Sequence, residues 1–439
     1  LLVNLCQALL FAQVFLTAQA EDRLPIGVAF AGLALLSWAL YGVYRAAQRS
    51  AYELESLVFL LISIGAAVTA AYDPSSLYKL LITVVMGMAL FLIMSGILRD
   101  LHTSIQARWP VALAAGALLA FNVVLGERIF GAKNWISIGP LSFQPSELVK
   151  IAFILAGAAT LDRLFAKRNL IFTILFSAYC VGCLALMSDF GTALIFFVAF
   201  LCIAFLRTGD LPSIAMMVAA AAFGCGIILR FKPYIADRFS AWLHVWDHAQ
   251  GIGYQQTRTM SAMASGGLFG AGADKSWLKY IGAANTDLVF GVVGEEFGFL
   301  LALCCVASLM LPIAFTLRCA ATARSSFYTI LSCATAAMLV CQMALNVLGA
   351  VDLLPLTGVT FPFVSMGGSS MISCWGLMAY LKAADTRQNA SFALRLSKLA
   401  PDQKKRPSPP PVKPARQEGF FADRPDIPVD EIFGKEEQK

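Results

Sequence analysis

Twelve long apolar stretches, most of them joined by short polar loops, constrain this chain more than any other feature. They lie near residues 1–19, 26–44, 56–72, 79–98, 109–125, 148–161, 169–187, 192–206, 212–230, 288–316, 327–350 and 365–382. About 17 to 25 apolar residues cross a bilayer as a helix, and most of the stretches approach or reach that length. The chain is 59% hydrophobic and 14% charged, with a mean hydropathy of +0.72. A soluble fold of 439 residues with these values would leave too much apolar surface in water. The stretches are continuous and do not alternate, which argues against a β-barrel. The expected fold class is an all-α polytopic membrane protein with about twelve transmembrane helices.

Positive charge sets the expected orientation. Ten Lys and Arg residues, from Arg45 to Arg324, fall in one set of short loops; only Arg23, Lys79, Arg128 and Lys133 fall in the opposite set. The richer set belongs in the cytoplasm, and both termini with it. The long loop 231–286 then faces outward, as do the loops near 126–147, 188–191 and 351–364. The net charge of +6 is spread along loops and calls for no nucleic-acid partner. Leu1 opens the sequence inside an apolar run without Met, which reads as a truncated start, and the first stretch as a helix in place.

The region after the last stretch is different. Eight of the eighteen prolines lie beyond residue 383, with Lys404-Lys405-Arg406 and Pro409-Pro410-Pro411. Too little there is apolar to form a core, so residues 386–439 are expected to be a disordered cytoplasmic tail or an adaptor-binding segment. The eleven cysteines sit in or beside apolar stretches and read as packing residues, Cys180 and Cys183 included. His244 and His248 lack the further ligands a zinc site needs, so no metal site is expected.

Four groups of glycine, proline and polar residues gather on the outward side. The first is Gly131-Ala132-Lys133-Asn134-Trp135-Ile136 with Gln144-Pro145-Ser146-Glu147-Leu148-Val149-Lys150. The second is Ser188-Asp189-Phe190-Gly191-Thr192. The third joins Gly253-Tyr254-Gln255, Ser265-Gly266-Gly267-Leu268-Phe269-Gly270, Thr286-Asp287 and Gly294-Glu295-Glu296-Phe297-Gly298. The fourth joins Asn346, Leu354-Pro355-Leu356-Thr357-Gly358 and Pro362-Phe363-Val364-Ser365-Met366-Gly367-Gly368-Ser369-Ser370.

In this order the four groups resemble the SEDS family of bacterial cell-wall proteins (FtsW, RodA and SpoVE), over about residues 56 to 385. The resemblance implies a peptidoglycan glycosyltransferase that polymerises lipid II into glycan strands at the outer face of the cytoplasmic membrane, beside a class B penicillin-binding protein. It implies a core of about ten spans over 51–385, with 1–50 supplying two extra helices. The sequence departs from the family at Ala283, Ala284 and Asn285, where an acid and a His are usual, at Met187-Ser188, and at Met366. Asp287 stands.

Polymerisation joins a sugar hydroxyl to an anomeric carbon and expels a lipid pyrophosphate. It needs one positioned base, and cations or hydrogen-bond donors for the leaving group. Asp287, where the long loop meets the tenth stretch, fits the base and the resemblance points to it; a helix N-cap is the alternative reading. For substrate binding the candidates are Lys133, Lys150, Arg238 and Arg258 toward the pyrophosphate, with Trp135, Gln255 and Ser369. Glu147, Asp189, Glu295 and Glu296 read as structural or ion-pair acids. On one continuous helix Glu296 would point away from Asp287, and Lys150 is a candidate partner for one of the two glutamates. The Gly266-Gly267 and Gly270 turn either folds back against the helices or offers amides to phosphate. No cofactor is required, though a loosely held divalent cation, Mg2+ or Mn2+, is compatible with pyrophosphate chemistry. Two other classes stay open: a lipid II flippase or other transporter, which needs a polar path through the membrane, and a non-catalytic scaffold of a cell-wall synthesis complex.

Overall fold

The computed structural model describes residues 2–385 except 48–50, 130–131, 139–140, 162–166, 232, 322 and 324. The tail from 386 onward and Gly131 lie outside the described residues. The described parts of all twelve apolar stretches are largely helical. The first five form α1 (Leu2–Thr17), α2 (Arg23–Ala46), α3 (Glu53–Tyr72), α4 (Leu77–Ile97) and, after the short α5 (Leu101–Gln106), α6 (Arg108–Leu125). Then come α7 (Pro145–Leu161), α8 (Lys167–Leu186), α9 (Phe190–Thr208) and α10 (Leu211–Phe231). The long loop carries α11 (Pro233–Ala241) and α12 (Tyr254–Gly266); α13 (Val289–Glu296), α14 (Phe299–Ala320), α15 (Ser326–Ala350) and α16 (Gly368–Ala383) follow. Among the described residues seven helices (α2, α3, α4, α6, α9, α14 and α15) are long and apolar enough to cross a membrane, and the apolar parts of α1, α8 and α10 are shorter.

Two expectations change. The tenth stretch is not one helix. It breaks at Phe297-Gly298, where Gly298 adopts φ 92°, so α13 belongs to the loop region and α14 alone is a candidate span. The break is imposed from a distance: Phe299 N donates to Gly267 O at 3.0 Å, and Ala271 N and Gly272 N donate to the carbonyls of Glu295 and Glu296 at 2.8 and 3.0 Å. Nor is the fold purely helical. The 126–147 region holds an antiparallel meander of β1 (Glu127–Ile129), β2 (Ala132–Ile138) and β3 (Leu141–Phe143), with Glu127 opposite Trp135 and Ile136 opposite Phe143.

The core runs through α3, α15 and α16. Trp375 of α16 is fully buried among the rings of Phe59, Phe91 and Phe363, with centroids 5.6, 5.6 and 6.1 Å away. Tilted and edge-on contacts of this kind add roughly 0.5–1.5 kcal/mol each beyond area burial. At the far end of α16, buried Lys382 is held by Glu55 at 2.6 Å and by the Ala51 carbonyl at 2.6 Å. Tyr44 of α2 donates to the same carboxylate at 2.6 Å, and its ring lies 5.0 Å from the Lys382 ammonium. The N-terminal helices are thereby fastened to the bundle through a charge pair whose polar contacts are filled.

Candidate active site

Asp287 sits in the loop before α13, against the loop before α16. Two hydrogen bonds join those loops directly, and Asn346 bridges them with two more. Met366 N donates to Asn285 O at 2.9 Å, and Ser365 Oγ donates to Thr286 O at 2.5 Å. Asn346, near the end of α15, donates to both Asp287 O (2.9 Å) and Val359 O (2.7 Å). The carboxylate faces Gly358, where a Cβ would come within 3.2 Å of Oδ2 and where φ is +70°. Only glycine adopts that backbone cheaply and leaves that space. The main chain of Asp287 is fixed, and its carboxylate packs against a backbone position that has no side chain.

The N-cap reading of Asp287 is not realised. α13 begins after Leu288, and no side chain caps it. Burial instead raises the Asp287 carboxyl to about 6, against the lowering pull of Thr286 and Arg238, with Asp189 adding to the rise. A carboxyl poised near neutrality suits a general base. Arg238, at the end of α11, donates through Nη1 to Leu356 O at 2.7 Å, two residues before Gly358. It is the one cation among the pyrophosphate candidates whose field reaches Asp287.

Asp189 is a hub. It caps α9 by accepting from Thr192 N at 3.2 Å, and takes Asn134 Nδ2 at 2.8 Å and Gln144 Nε2 at 3.0 Å. It therefore ties β2 and the start of α7 to the start of α9, through hydrogen bonds and not an ion pair. Ser369 accepts from Gln144 N at 3.3 Å, which brings the N-terminus of α16 to the same seam. The packing of Gly191 against Thr357 and Val359 carries that seam to the Asp287 loops.

Other candidates are engaged elsewhere. Lys150 is fully enclosed, 2.8 Å from Glu147 and 2.9 Å from Gln342 Oε1. Its partner is Glu147, one turn away, and not Glu295 or Glu296, and an enclosed ammonium cannot meet a pyrophosphate. Gln342 passes the contact on to Thr360 O and Oγ1, both at 3.1 Å, so this cluster buttresses the 357–366 loop. Lys133 caps α6 by donating to Val123 O and Val124 O at 2.9 and 3.0 Å, as cations at helix C-termini do. Trp135 is half-buried on β2. Gln255 donates to Gly282 O at 3.0 Å, and Arg258 lies over the Tyr254 ring at 5.3 Å.

Glu295 and Glu296 are adjacent and unlike. Glu295 accepts from Ser276 Oγ, Trp277 N and Leu278 N, which locks that turn without a cation. Glu296 is fully buried and neither carboxyl oxygen has a hydrogen-bond partner. Burial pushes its carboxyl up to about 8, offset in part by Lys279 and reinforced by Glu295 and Asp274. The glycine turn folds back against α13: Gly270 N donates to Gly266 O, and a Cβ at Gly266 or Gly270 would stand 2.3 or 2.2 Å from the carbonyl oxygens of Gly294 and Glu296. Of the two readings for these glycines, close backbone packing is the one seen. Among the described residues no group of three His, Cys, Asp or Glu side chains is placed to hold a metal ion.

Sequence reading grouped Asn346 with the outward motifs without giving it a role, and passed over Gln342. Their signal was present: two amides four apart on one face of an otherwise apolar helix.

The family described as cell cycle protein, FtsW/RodA/SpoVE, matches residues 51–390. The chain belongs to this family. The match begins at residue 51, after the end of α2 at Ala46, so α1 and α2 precede the shared core. A relative in Tolumonas auensis, named a probable peptidoglycan glycosyltransferase FtsW, is 34% identical, over 63% of this chain and 75% of its own length. A Mycobacterium leprae relative named peptidoglycan glycosyltransferase RodA is 28% identical, over 80% of this chain and 82% of its own length. Among solved structures, a chain from a peptidoglycan synthase complex described as coordinating polymerisation and crosslinking superposes with a TM-score of 0.65. It is 26% identical and covers 77% of this chain and 98% of its own.

Proposed function

We propose that the chain is a peptidoglycan glycosyltransferase that polymerises lipid II, with Asp287 as the base that takes the proton of the acceptor sugar hydroxyl. The observation that carries this reading is the setting of Asp287. Its backbone is pinned by Asn346 and its carboxyl is raised by burial to about 6. Arg238 stands near enough to favour the charged form and to meet a developing pyrophosphate anion. Arg258, Trp135, Gln255 and Ser369 remain candidates for the sugar and phosphate path. A divalent cation, Mg2+ or Mn2+, would arrive with the pyrophosphate.

The site faces outward and both termini face the cytoplasm, by the loop charges. A class B penicillin-binding protein is the partner we assign. It would crosslink the strands this chain extends, in keeping with a structural neighbour that couples polymerisation to crosslinking. The test is purified protein, with that partner, supplied with fluorescent lipid II. Glycan ladders that disappear on Asp287→Ala support the reading. Ladders that persist overturn the base, and no ladders from the wild type under any condition overturn the function.

A further inference from the structure

Beyond α10 the chain does something that packing alone does not explain. Leu243 adopts φ 62°, a left-handed backbone that costs a non-glycine residue roughly 1–2 kcal/mol. Its side chain gains no burial in return and is 61% exposed. Trp246 nearby is 60% exposed, and Phe239, Trp242 and Ile252 are exposed with it. The strain is enforced by named contacts. Leu243 N donates to Asp352 Oδ1 at 3.2 Å, Trp242 Nε1 donates to Leu353 O at 3.2 Å, and Phe239 meets the Trp242 ring edge-on at 6.4 Å. A rigid turn thus presents five large apolar side chains outward.

We propose that residues 239–252 form a lip that dips into the interfacial layer of the membrane leaflet on the Asp287 side, with Leu243 and Trp246 at its tip. Continuity argues for lipid as the occupant. Only residue 232 separates α10 from α11, and α10 already presents Met216 and Phe223 to its surroundings at 70% and 75% exposure. The turn is therefore joined to this exposed apolar helix through the nine residues of α11. Its composition suits the same place: tryptophans and aliphatic residues interleaved with His244, Asp247 and His248 match the layer where apolar rings meet polar headgroups. The lip is also mechanically tied to the site, because Asp352 and Leu353 lead directly into the 354–358 loop that faces Asp287. The inference stands whichever reaction the site performs.

The test uses the full chain in vesicles of phosphatidylcholine brominated at mid-acyl positions, compared with unbrominated vesicles. Subtracting the emission of Trp246→Phe from that of the wild type isolates Trp246, whose substitution at an exposed position leaves the fold intact. The expected result is strong quenching of the Trp246 component by brominated lipid and weak quenching by aqueous iodide. The reverse pattern overturns the proposal. So does a Trp246 that iodide reaches freely until a second protein is added, which would make the turn a protein-docking face. Leu243→Gly is the second variant: glycine adopts the same φ without strain, so it folds at least as stably while withdrawing the tip from lipid, and Trp246 quenching by brominated lipid should fall. Unchanged quenching in that variant removes Leu243 from the lip.

Discussion

The two ends of the bundle treat buried charge in opposite ways. At one end Lys382 and Glu55 lie out of water, and each is satisfied: the ammonium by Glu55 and the Ala51 carbonyl, the carboxylate by Lys382 and Tyr44. At the other end Glu296 is buried with no hydrogen-bond partner on either carboxyl oxygen, and at Asp287 burial outweighs the opposing pull of Thr286 and Arg238, so both carboxyls rise toward neutrality. A buried charge costs far more alone than when it is paired and hydrogen-bonded. The first arrangement is what a fold needs to hold together. The second carries an energetic cost at Asp287, which is the setting the proposed base would need.

The contrast is broken most directly at Asp287. Asp287→Asn should lower polymerisation by about 10²–10⁴-fold, the range that general-base catalysis supplies, while the melting temperature stays level or rises. A clear loss of stability would move Asp287 to the structural side. Lys382→Met should do the converse. Leaving Glu55 buried and alone costs about 3–5 kcal/mol, read as a large fall in thermal midpoint in detergent, with turnover retained below that temperature. Adding Glu55→Gln should recover much of the loss; no recovery would show that the pair matters through something other than its charge.

Glu296 sharpens the comparison through pH. Its folded value of about 8 lies above the ordinary 4.5 of an unfolded glutamate, so the folded state holds the proton more tightly. Stability is then highest below the unfolded value, falls as pH rises from there to about 8, and levels off beyond. Glu296→Gln should abolish that slope, which amounts to a few kcal/mol at alkaline pH, and melting curves between pH 5 and 9 measure it. Parallel curves for variant and wild type would mean that Glu296 is ionised and partnered.

Much of this was legible beforehand. The apolar stretches located the helices, because continuous apolar runs have few other ways to satisfy their backbone in hydrocarbon. The polar motifs marked the segments that the structure brings together around Asp287, and Asp287 stood out as an acid where the long loop meets an apolar stretch. What was not legible depended on residues far apart in sequence. The break at Gly298 is a glycine stop whose place in the fold is set by the Gly267 carbonyl and the Ala271 and Gly272 amides, and a lone glycine inside an apolar run did not by itself announce it. Lys150 looked available because its buried partner Gln342 lies 192 positions away. The meander was hidden in strands of three to seven residues, too short for a periodic signal. Charge counting placed Lys133 among the phosphate candidates, and only the geometry shows that it caps α6.

The smallest expected effect is also the most specific. If Asp287 is the base, polymerisation must be low when it is protonated and reach a plateau when it is not, so the rate should rise with pH through a midpoint near 6. Arg238 lowers that value by favouring the carboxylate. Removing its charge in Arg238→Gln should therefore shift the midpoint upward, by a fraction of a unit to about one unit. At pH 6.5 the variant would look impaired, and part of the deficit would disappear at pH 8.5. The remainder, a lower plateau, would measure any contact Arg238 makes with the pyrophosphate, since that contact does not depend on the protonation of Asp287. A variant with an unmoved midpoint and a lower plateau would make Arg238 a substrate contact alone. A moved midpoint with the plateau intact would make it purely the keeper of the base.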